Sequence, residues 1–249
     1  MPMTTVGLLY PGYAAEDDFP LIQGILGDDV ALPVVHTSVG EDVHRVDALL
    51  DLGSTTRLAD GADELRPHAP DAVMWACTSG SFVFGWDGAR TQVGEVAARL
   101  ERPASSTSIA FAHAIRALGV RRVAIAATYP RNVVDRFVDF LTADGVEVLA
   151  STSADIITAE EVGTLGRDGV LGLLASVDHD GAEAVLMPDT ALHTVGWLDD
   201  LERAAGKPVL TANQVTVWEG LRLAGAPARH EGLGSLFRVN GSDPGRSGP

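Results

Sequence analysis

Short apolar runs alternate with amphipathic stretches along the whole chain. Eight runs stand out, at residues 6–10 (VGLLY), 30–35 (VALPVV), 72–76 (AVMWA), 103–107 (PASST), 123–127 (VAIAA), 146–150 (VEVLA), 184–187 (AVLM) and 208–211 (PVLT). Several are apolar without a polar alternate, the pattern of strands buried on both faces of a parallel sheet. The intervening stretches have helical spacing. Over 132–143, Val133, Phe137 and Phe140 or Leu141 share one face, and Gly145 marks a stop. Over 108–118, Ile109, Phe111, Ala112, Ile115 and Leu118 do the same before Gly119. Strands alternating with helices predict an α/β fold.

The order of these elements repeats. VGLLYPG at 6–12 resembles VAIAATYP at 123–130, DAVMWACTSGSF at 71–82 resembles EAVLMPDTALHT at 183–194, and the stretch 102–119 resembles 207–225. A duplication with a period of roughly 110 residues is too long for a solenoid and predicts two related lobes. The expected architecture is two pseudo-symmetric lobes, each a short parallel sheet flanked by helices, with the active site in the cleft between them. The boundaries fall at 1–117 for the first lobe, which the C-terminal helix 214–225 would complete, and 118–213 for the second. The Gly/Ser/Pro-rich stretch 240–249 is expected to be a flexible tail. Ligands of open α/β sheets bind beyond the carboxyl ends of the strands, so the residues that follow each run hold the candidates.

Composition narrows the partners. The formal net charge of -16 repels phosphate backbones and anionic membranes, so neither nucleic acid nor a membrane is expected to bind. A single cysteine permits no intrachain disulfide. The first residues lack the basic region of a signal peptide, and no apolar run approaches the roughly 20 residues of a membrane span, so a cytoplasmic location is expected. No GxGxxG follows the first strand and no GxxxxGK[ST] occurs, which leaves nucleotide cofactors unsupported. The seven histidines are dispersed, without HExxH or Cys/His ligand spacing, so neither a metal nor any other cofactor is expected.

Cys77 is the main chemical candidate. It ends an apolar run and precedes Thr78, Ser79, Gly80 and Ser81. A turn rich in hydroxyls and backbone N–H groups at a helix start lowers a thiol pKa and binds carboxylate oxygens. Such a thiol, ionisable and reachable from solvent, can act as a nucleophile or a proton donor. The bland alternative is a buried strand-end cysteine acting as a small hydrophobe. Asp189 occupies the equivalent position in the second repeat; it is either an acid–base group or an N-cap of the following helix. Thr190 beside it is a candidate binding hydroxyl. Thr211, Asn213 and Gln214 form a polar cluster that can bind a carboxylate or cap a helix. Tyr10, Tyr13 and Tyr129 all fall in strand-end turns, where a phenol can donate to a carboxylate. His193 can reach the site or pack on a helix, and the acidic run Glu16-Asp17-Asp18 suits a helix N-terminus.

CTSGSF at 77–82, the TYP turn at 128–130 and TANQVTVW at 211–218 resemble the aspartate/glutamate racemase superfamily. The branch is that of the maleate cis–trans isomerases and arylmalonate decarboxylases, with related ectoine-utilisation proteins. The likeness runs over roughly 5–237. It implies two pseudo-symmetric α/β lobes, a central cleft, no cofactor and often a dimer. In the isomerase branch the matching first-lobe cysteine, here Cys77, adds to a substrate double bond, the C–C bond rotates in a succinyl-like adduct, and the thiolate leaves. Thr78 and Ser79 match hydroxyl residues that hold a carboxylate, and Asn213 falls in the matching second-lobe element. Two departures stand out. Asp189 replaces the family's second cysteine, and the tyrosine of the TYP turn, Tyr129, is shifted.

Three functions follow as expectations. The first is a cofactor-independent isomerase of a small dicarboxylate or similar unsaturated acid, with Cys77 as nucleophile, Asp189 managing a proton or holding the thiol's orientation, and Tyr10, Thr78, Ser79, Tyr129, Thr190 and Asn213 binding substrate. The second is a decarboxylase or racemase in which Cys77 donates a proton to a carbanion. The third is a non-catalytic carboxylate-binding module.

Overall fold

A computed structural model describes residues 3–239; the stretch expected to form a tail, 240–249, lies outside the described residues. The first half runs β1 (Thr4–Pro11), α1 (Asp18–Leu26), β2 (Val30–Ala31), β3 (Val34–Thr37), α2 (Val46–Leu52), α3 (Thr55–Leu65), β4 (Ala72–Trp75), α4 (Ser79–Phe82), α5 (Gly85–Leu100), β5 (Ala104–Ser106) and α6 (Thr107–Ala117). The second half runs β6 (Arg122–Ala127), α7 (Arg131–Ala143), β7 (Glu147–Ser153), α8 (Ala159–Gly163), α9 (Arg167–Ala175), β8 (Ala184–Met187), α10 (Leu198–Ala205), β9 (Val209–Thr211) and α11 (Ala212–Leu223).

Each half folds into its own parallel sheet. The first has the order β2–β1–β4–β5, with β3 continuing the β2 edge along β1; the second has the order β7–β6–β8–β9. The two orders are the same path, as the internal repeat requires. All eight apolar runs become strands. The run 30–35 is broken into β2 and β3 because Pro33 has no N–H to continue the ladder. Its carbonyl still accepts from the Leu8 N–H at 2.9 Å, which keeps the edge in register. The central strands β4 and β8 are buried at every residue, which explains their unbroken apolar sequences. Helices α6 and α7 stop where expected, with Gly119 and Gly145 at φ 71° and 83°. No helix among the described residues is long and apolar enough to cross a membrane.

Helices α6 and α11 each follow the last strand of their sheet and pack against one another. Although α11 follows β9 of the second sheet, it lies against β1 and β4 of the first. Gly220 makes this approach possible, because a methyl group there would collide with Val6 and sit 3.2 Å from Met74 Cγ. The helix pair also encloses an ion cluster. The fully buried Glu219 carboxylate accepts from Arg222 Nε at 2.8 Å, and its other oxygen pairs with His113 Nδ1 at 2.8 Å. Burial pushes the Glu219 carboxyl up, but the hydrogen bonds from Arg222 and His113 outweigh it and hold the group below its usual range.

A carboxyl held low in the folded chain stabilises the fold above its unfolded pKa, and that stabilisation is lost as pH falls through the folded value. We therefore expect Glu219→Gln to destabilise the protein by about 1–3 kcal/mol at neutral pH. Urea denaturation from pH 7 to pH 3 checks this: the gap between wild type and variant should narrow below about pH 4.5. A gap that is constant with pH would mean that the carboxylate charge contributes nothing.

Candidate active site

Strand β4 ends at Trp75, and Ala76 stays aligned with the sheet through its N–H to Leu9 O at 2.8 Å. Cys77 follows, and the chain then closes one helical turn, α4. Its closure comes from the Thr78 carbonyl, which accepts from the N–H groups of Ser81 (3.1 Å) and Phe82 (3.0 Å). This geometry turns the Gly80 N–H back onto Cys77 Sγ at 3.3 Å, with the Ser79 hydroxyl at 4.0 Å. A side chain at position 80 would sit 3.1 Å from the sulfur and 3.2 Å from the Trp75 ring. The turn is braced from behind by Gln92 of α5. Its amide donates to Gly53 O at 2.7 Å and to Gly80 O at 2.9 Å. Gly53 in turn has no room for a Cβ against the Gly80 carbonyl.

The state of the thiol differs from the sequence expectation. A hydroxyl-rich turn was expected to lower its pKa and leave the sulfur reachable from solvent. Instead Cys77 is 3% exposed, and its thiol is pushed up to about 12. Burial is the main cause; the charge of Asp189 acts in the same direction, and the Gly80 N–H and Ser79 hydroxyl oppose it. The amides of Gly80 and Ser79 and one distant hydroxyl do not repay the lost hydration of a thiolate. Cys77 belongs to the buried cluster of Leu9, Val73 and Trp75, but it is not enclosed by hydrocarbon alone, since the Ser79 hydroxyl and the charge of Asp189 act on it.

Asp189 comes from the other sheet. Strand β8 ends at Met187, and Pro188 and Asp189 follow in a turn. Asp189 does not cap a helix, because no helix starts there. Its Oδ1 accepts from Ala191 N at 3.0 Å and its Oδ2 from the Thr128 hydroxyl, which pins the carboxylate to the end of β6. Tyr129, next in sequence, donates to Pro188 O at 2.8 Å. Its phenol is pushed well above the ordinary value by burial and by the charges of Asp189 and Cys77. The hydroxyls of Thr78 and Ser79 lie beside it and oppose that shift. Cys77, Thr78, Ser79, Tyr129 and Asp189 therefore share one neighbourhood.

Tyr10, Thr190 and Asn213 form an adjoining network. The Tyr10 hydroxyl donates to Thr190 O and accepts from Ala15 N, both at 3.0 Å. Asn213 Nδ2 faces Asp18 Oδ2 at 3.1 Å, Thr190 O at 3.3 Å and Ala15 O at 3.4 Å. Of the donors that the sequence suggested for a carboxylate, Tyr10, Tyr129 and the Asn213 amide group are thus already engaged with the protein. Two buried side-chain atoms of the site have no partner, Thr78 Oγ1 and Asn213 Oδ1. Thr211 and Gln214 form a capping box on α11. Tyr13 is exposed and stacks on His36, with ring centroids 4.1 Å apart.

Sequence reasoning missed two members. Asp18 was read as a helix-start acid. It is the first residue of α1, but its buried carboxylate accepts from Thr194 N (3.0 Å), Val195 N (3.4 Å) and Asn213. Burial raises its pKa, and these donors oppose the rise. Its neighbour Asp17 holds His193 at 2.7 Å, so His193 serves this surface contact. The second is His44. Its ring stands edge-on to Tyr129 at 4.9 Å and its Nδ1 meets Ile156 O at 3.0 Å. No local pattern marks either residue, since every partner is remote in sequence. Among the described residues, no cluster of three His, Cys, Asp or Glu is arranged to hold a metal.

Known proteins share this fold. The arylmalonate decarboxylase family model matches residues 52–237. An arylmalonate decarboxylase of Bordetella bronchiseptica is 29% identical over 250 residues, spanning 94% of this chain and 96% of its own. Maleate isomerase Iso from Pseudomonas putida S16 superposes with a TM-score of 0.86 at 21% identity, covering 94% of this chain and 98% of that one. A cysteine-to-serine mutant of Nocardia farcinica maleate cis–trans isomerase, with a covalently bound succinylcysteine intermediate, also has a TM-score of 0.86 at 21% identity, covering 95% and 98%. At that identity the structures establish the shared fold.

The raised thiol has a direct consequence for alkylation. The iodoacetamide rate at Cys77, followed by mass spectrometry, should climb about tenfold per pH unit up to pH 10 without levelling. A plateau below pH 8 would contradict the burial-dominated electrostatics. Gly53→Ala should push the Gly80 carbonyl away and lower the melting temperature by several degrees, on the order of 1–3 kcal/mol of overpacking. An unchanged melting temperature would show that the α4 turn moves freely.

Proposed function

The chain belongs to the arylmalonate decarboxylase family, and from that premise we propose that it is a cofactor-independent enzyme that moves a proton at the carbon next to a carboxylate. One observation carries this reading: Cys77 is buried, its sulfur meets the Gly80 N–H at 3.3 Å and the Ser79 hydroxyl at 4.0 Å, and that burial raises the thiol and favours its protonated form at neutral pH. A carbanion is a far stronger base than a thiolate, so an S–H group held beside it is a competent donor. The nucleophile role asks for the opposite state, and the charge of Asp189 resists it.

The residues divide the work as follows. The Thr78 hydroxyl, buried and unpartnered, and the Ser79 hydroxyl donate to the substrate carboxylate. When CO2 leaves, or when Asp189 takes the α-proton, the electron pair stays on the α-carbon and spreads into the carboxylate. The same two hydroxyls then face an enediolate with more charge on oxygen, which strengthens their hydrogen bonds as the barrier is climbed. The Cys77 S–H bond breaks, its proton goes to carbon, and a thiolate remains to be reprotonated. Loss of CO2 makes the enzyme a decarboxylase; proton removal and return make it a racemase. Burial of the site excludes water that would quench the carbanion without stereochemical control.

The isomerase expectation stands as a second reading, favoured by the succinylcysteine held by the Nocardia farcinica relative. There the thiolate adds to a double bond, and Cys77 must first lose its proton.

Proton NMR in deuterated water distinguishes the two. We expect phenylmalonate or a chiral 2-substituted acid to acquire deuterium at the α-carbon, and Cys77→Ala to lower kcat by about 10²–10⁴. Conversion of maleate to fumarate, with no exchange in any other acid, would establish thiol addition instead. Stabilisation by carboxylic acids without turnover would leave a binding module.

A further inference from the structure

Within its own lobe Asp189 is tied to the end of β6 by Thr128. The contacts that cross to the first lobe are made by the segment that follows it, and they converge on Asp18. This residue opens α1 and is 1% exposed. Its Oδ2 accepts from Thr194 N at 3.0 Å, from Val195 N at 3.4 Å and from Asn213 Nδ2 at 3.1 Å.

These bonds bracket the segment 189–195. Thr194 and Val195 close one end of it. At the other end Asn213 Nδ2 also faces Thr190 O at 3.3 Å, one residue from Asp189. Asn213 is 0% exposed and belongs to α11, the helix that lies on β1 and β4 of the first sheet. A carboxylate only accepts, so Asp18 decides which way the Asn213 amide turns. Removing the Asp18 oxygens takes the acceptor from the Thr194 and Val195 N–H groups and frees that amide to turn over. Thr190 O then keeps the Tyr10 hydroxyl, while the far end of the segment is released.

The two reactions of the proposed function ask different things of Asp189. In loss of CO2 the C–C bond breaks, its electron pair stays on the α-carbon, and the Cys77 S–H supplies the proton; Asp189 takes no part. Proton exchange begins instead with the α C–H bond. Its proton goes to an Asp189 oxygen, its electron pair goes to the α-carbon and carboxylate, and Cys77 returns a proton to carbon. The thiolate and the Asp189 acid then exchange protons with solvent. A base misplaced by about 1 Å costs on the order of 10²-fold, and only the second reaction uses this base.

We infer that Asp18 is a positioning residue that governs one of the two reactions: through the 194–195 amides and Asn213 it holds Asp189 where it can take an α-proton, and it leaves loss of CO2 unaffected. This rests on the proton-moving function proposed above and assigns its two branches to different supports.

Asp18→Ala, Asp189→Asn and the double variant test this with three measurements: α-deuteration of phenylacetate in deuterated water, CO2 release from phenylmalonate, and the iodoacetamide rate at Cys77. Asp18→Ala should cut α-deuteration by about 10²-fold and keep CO2 release within about threefold of wild type. Asp189→Asn should do the same. Because the Asp189 charge raises the thiol, either single variant should also speed alkylation by about twofold or more. Added to Asp189→Asn, Asp18→Ala should change nothing further beyond about twofold, since it acts through Asp189. A residue that merely supports the fold would slow both reactions alike and add its full effect in the double variant. Either result, or wild-type decarboxylation without exchange, would overturn the inference and leave the proposed function standing. If the wild type neither exchanged nor decarboxylated, the function would fall, and the alkylation cycle alone would decide whether Asp18 places Asp189. Should Asp18→Ala not fold, Asp18→Asn, which keeps one acceptor oxygen, runs the same cycle with a smaller loss of exchange.

Discussion

Cys77 and Asp189 leave different sheets, and the contacts around the 190–195 segment hold them in one neighbourhood. Tyr10 and Asn213 both donate to the Thr190 carbonyl, and the Asp18 carboxylate receives the N–H groups of Thr194 and Val195. Tyr10 and Asp18 belong to the first repeat, and the segment they hold belongs to the second. Every one of these groups is buried. Breaking one contact leaves a polar atom without water to replace its partner, so the two strand ends cannot separate one bond at a time. The relative position of acid and thiol follows from that cooperativity.

Burial also sets the chemistry. It lifts the Cys77 thiol and the phenols of Tyr10 and Tyr129 above their ordinary values, and the Asp189 charge adds to the effect on all three. The same loss of hydration makes the hydroxyls of Thr78 and Ser79 stronger donors than they are in water. The repeat has thus kept its backbone path while its two strand ends have diverged. One presents hydroxyls and a neutral thiol; the other presents a carboxylate and an amide carbonyl.

Much of this was legible along the chain. The apolar runs of β4 and β8 announce strands covered on both faces, and the glycines at 119 and 145 announce helix ends, because both are local consequences of side-chain size and backbone freedom. Repeat matching placed Cys77 and Asp189 at equivalent strand ends, which needs no knowledge of contacts. The break at Pro33 was present in the sequence as a missing N–H, but an apolar run on either side of it hid the interruption. Gly53 and Gly220 gave no signal, because what excludes a side chain at each lies far away in sequence.

Sequence by itself determined the architecture and the list of groups at the strand ends, since hydrophobic periodicity and chain order are local quantities. Tertiary structure alone decided how those groups behave. Cys77 was expected to be ionisable and reachable from solvent and is instead buried, which raises its thiol, because the penalty of burial depends on every atom packed around the sulfur. Asn213 was expected to donate to a substrate, yet its amide group donates to Asp18, Ala15 and Thr190, because two segments distant in sequence converge on it. Charge state and hydrogen-bond polarity are properties of an environment, and the environment exists only once the two sheets have met.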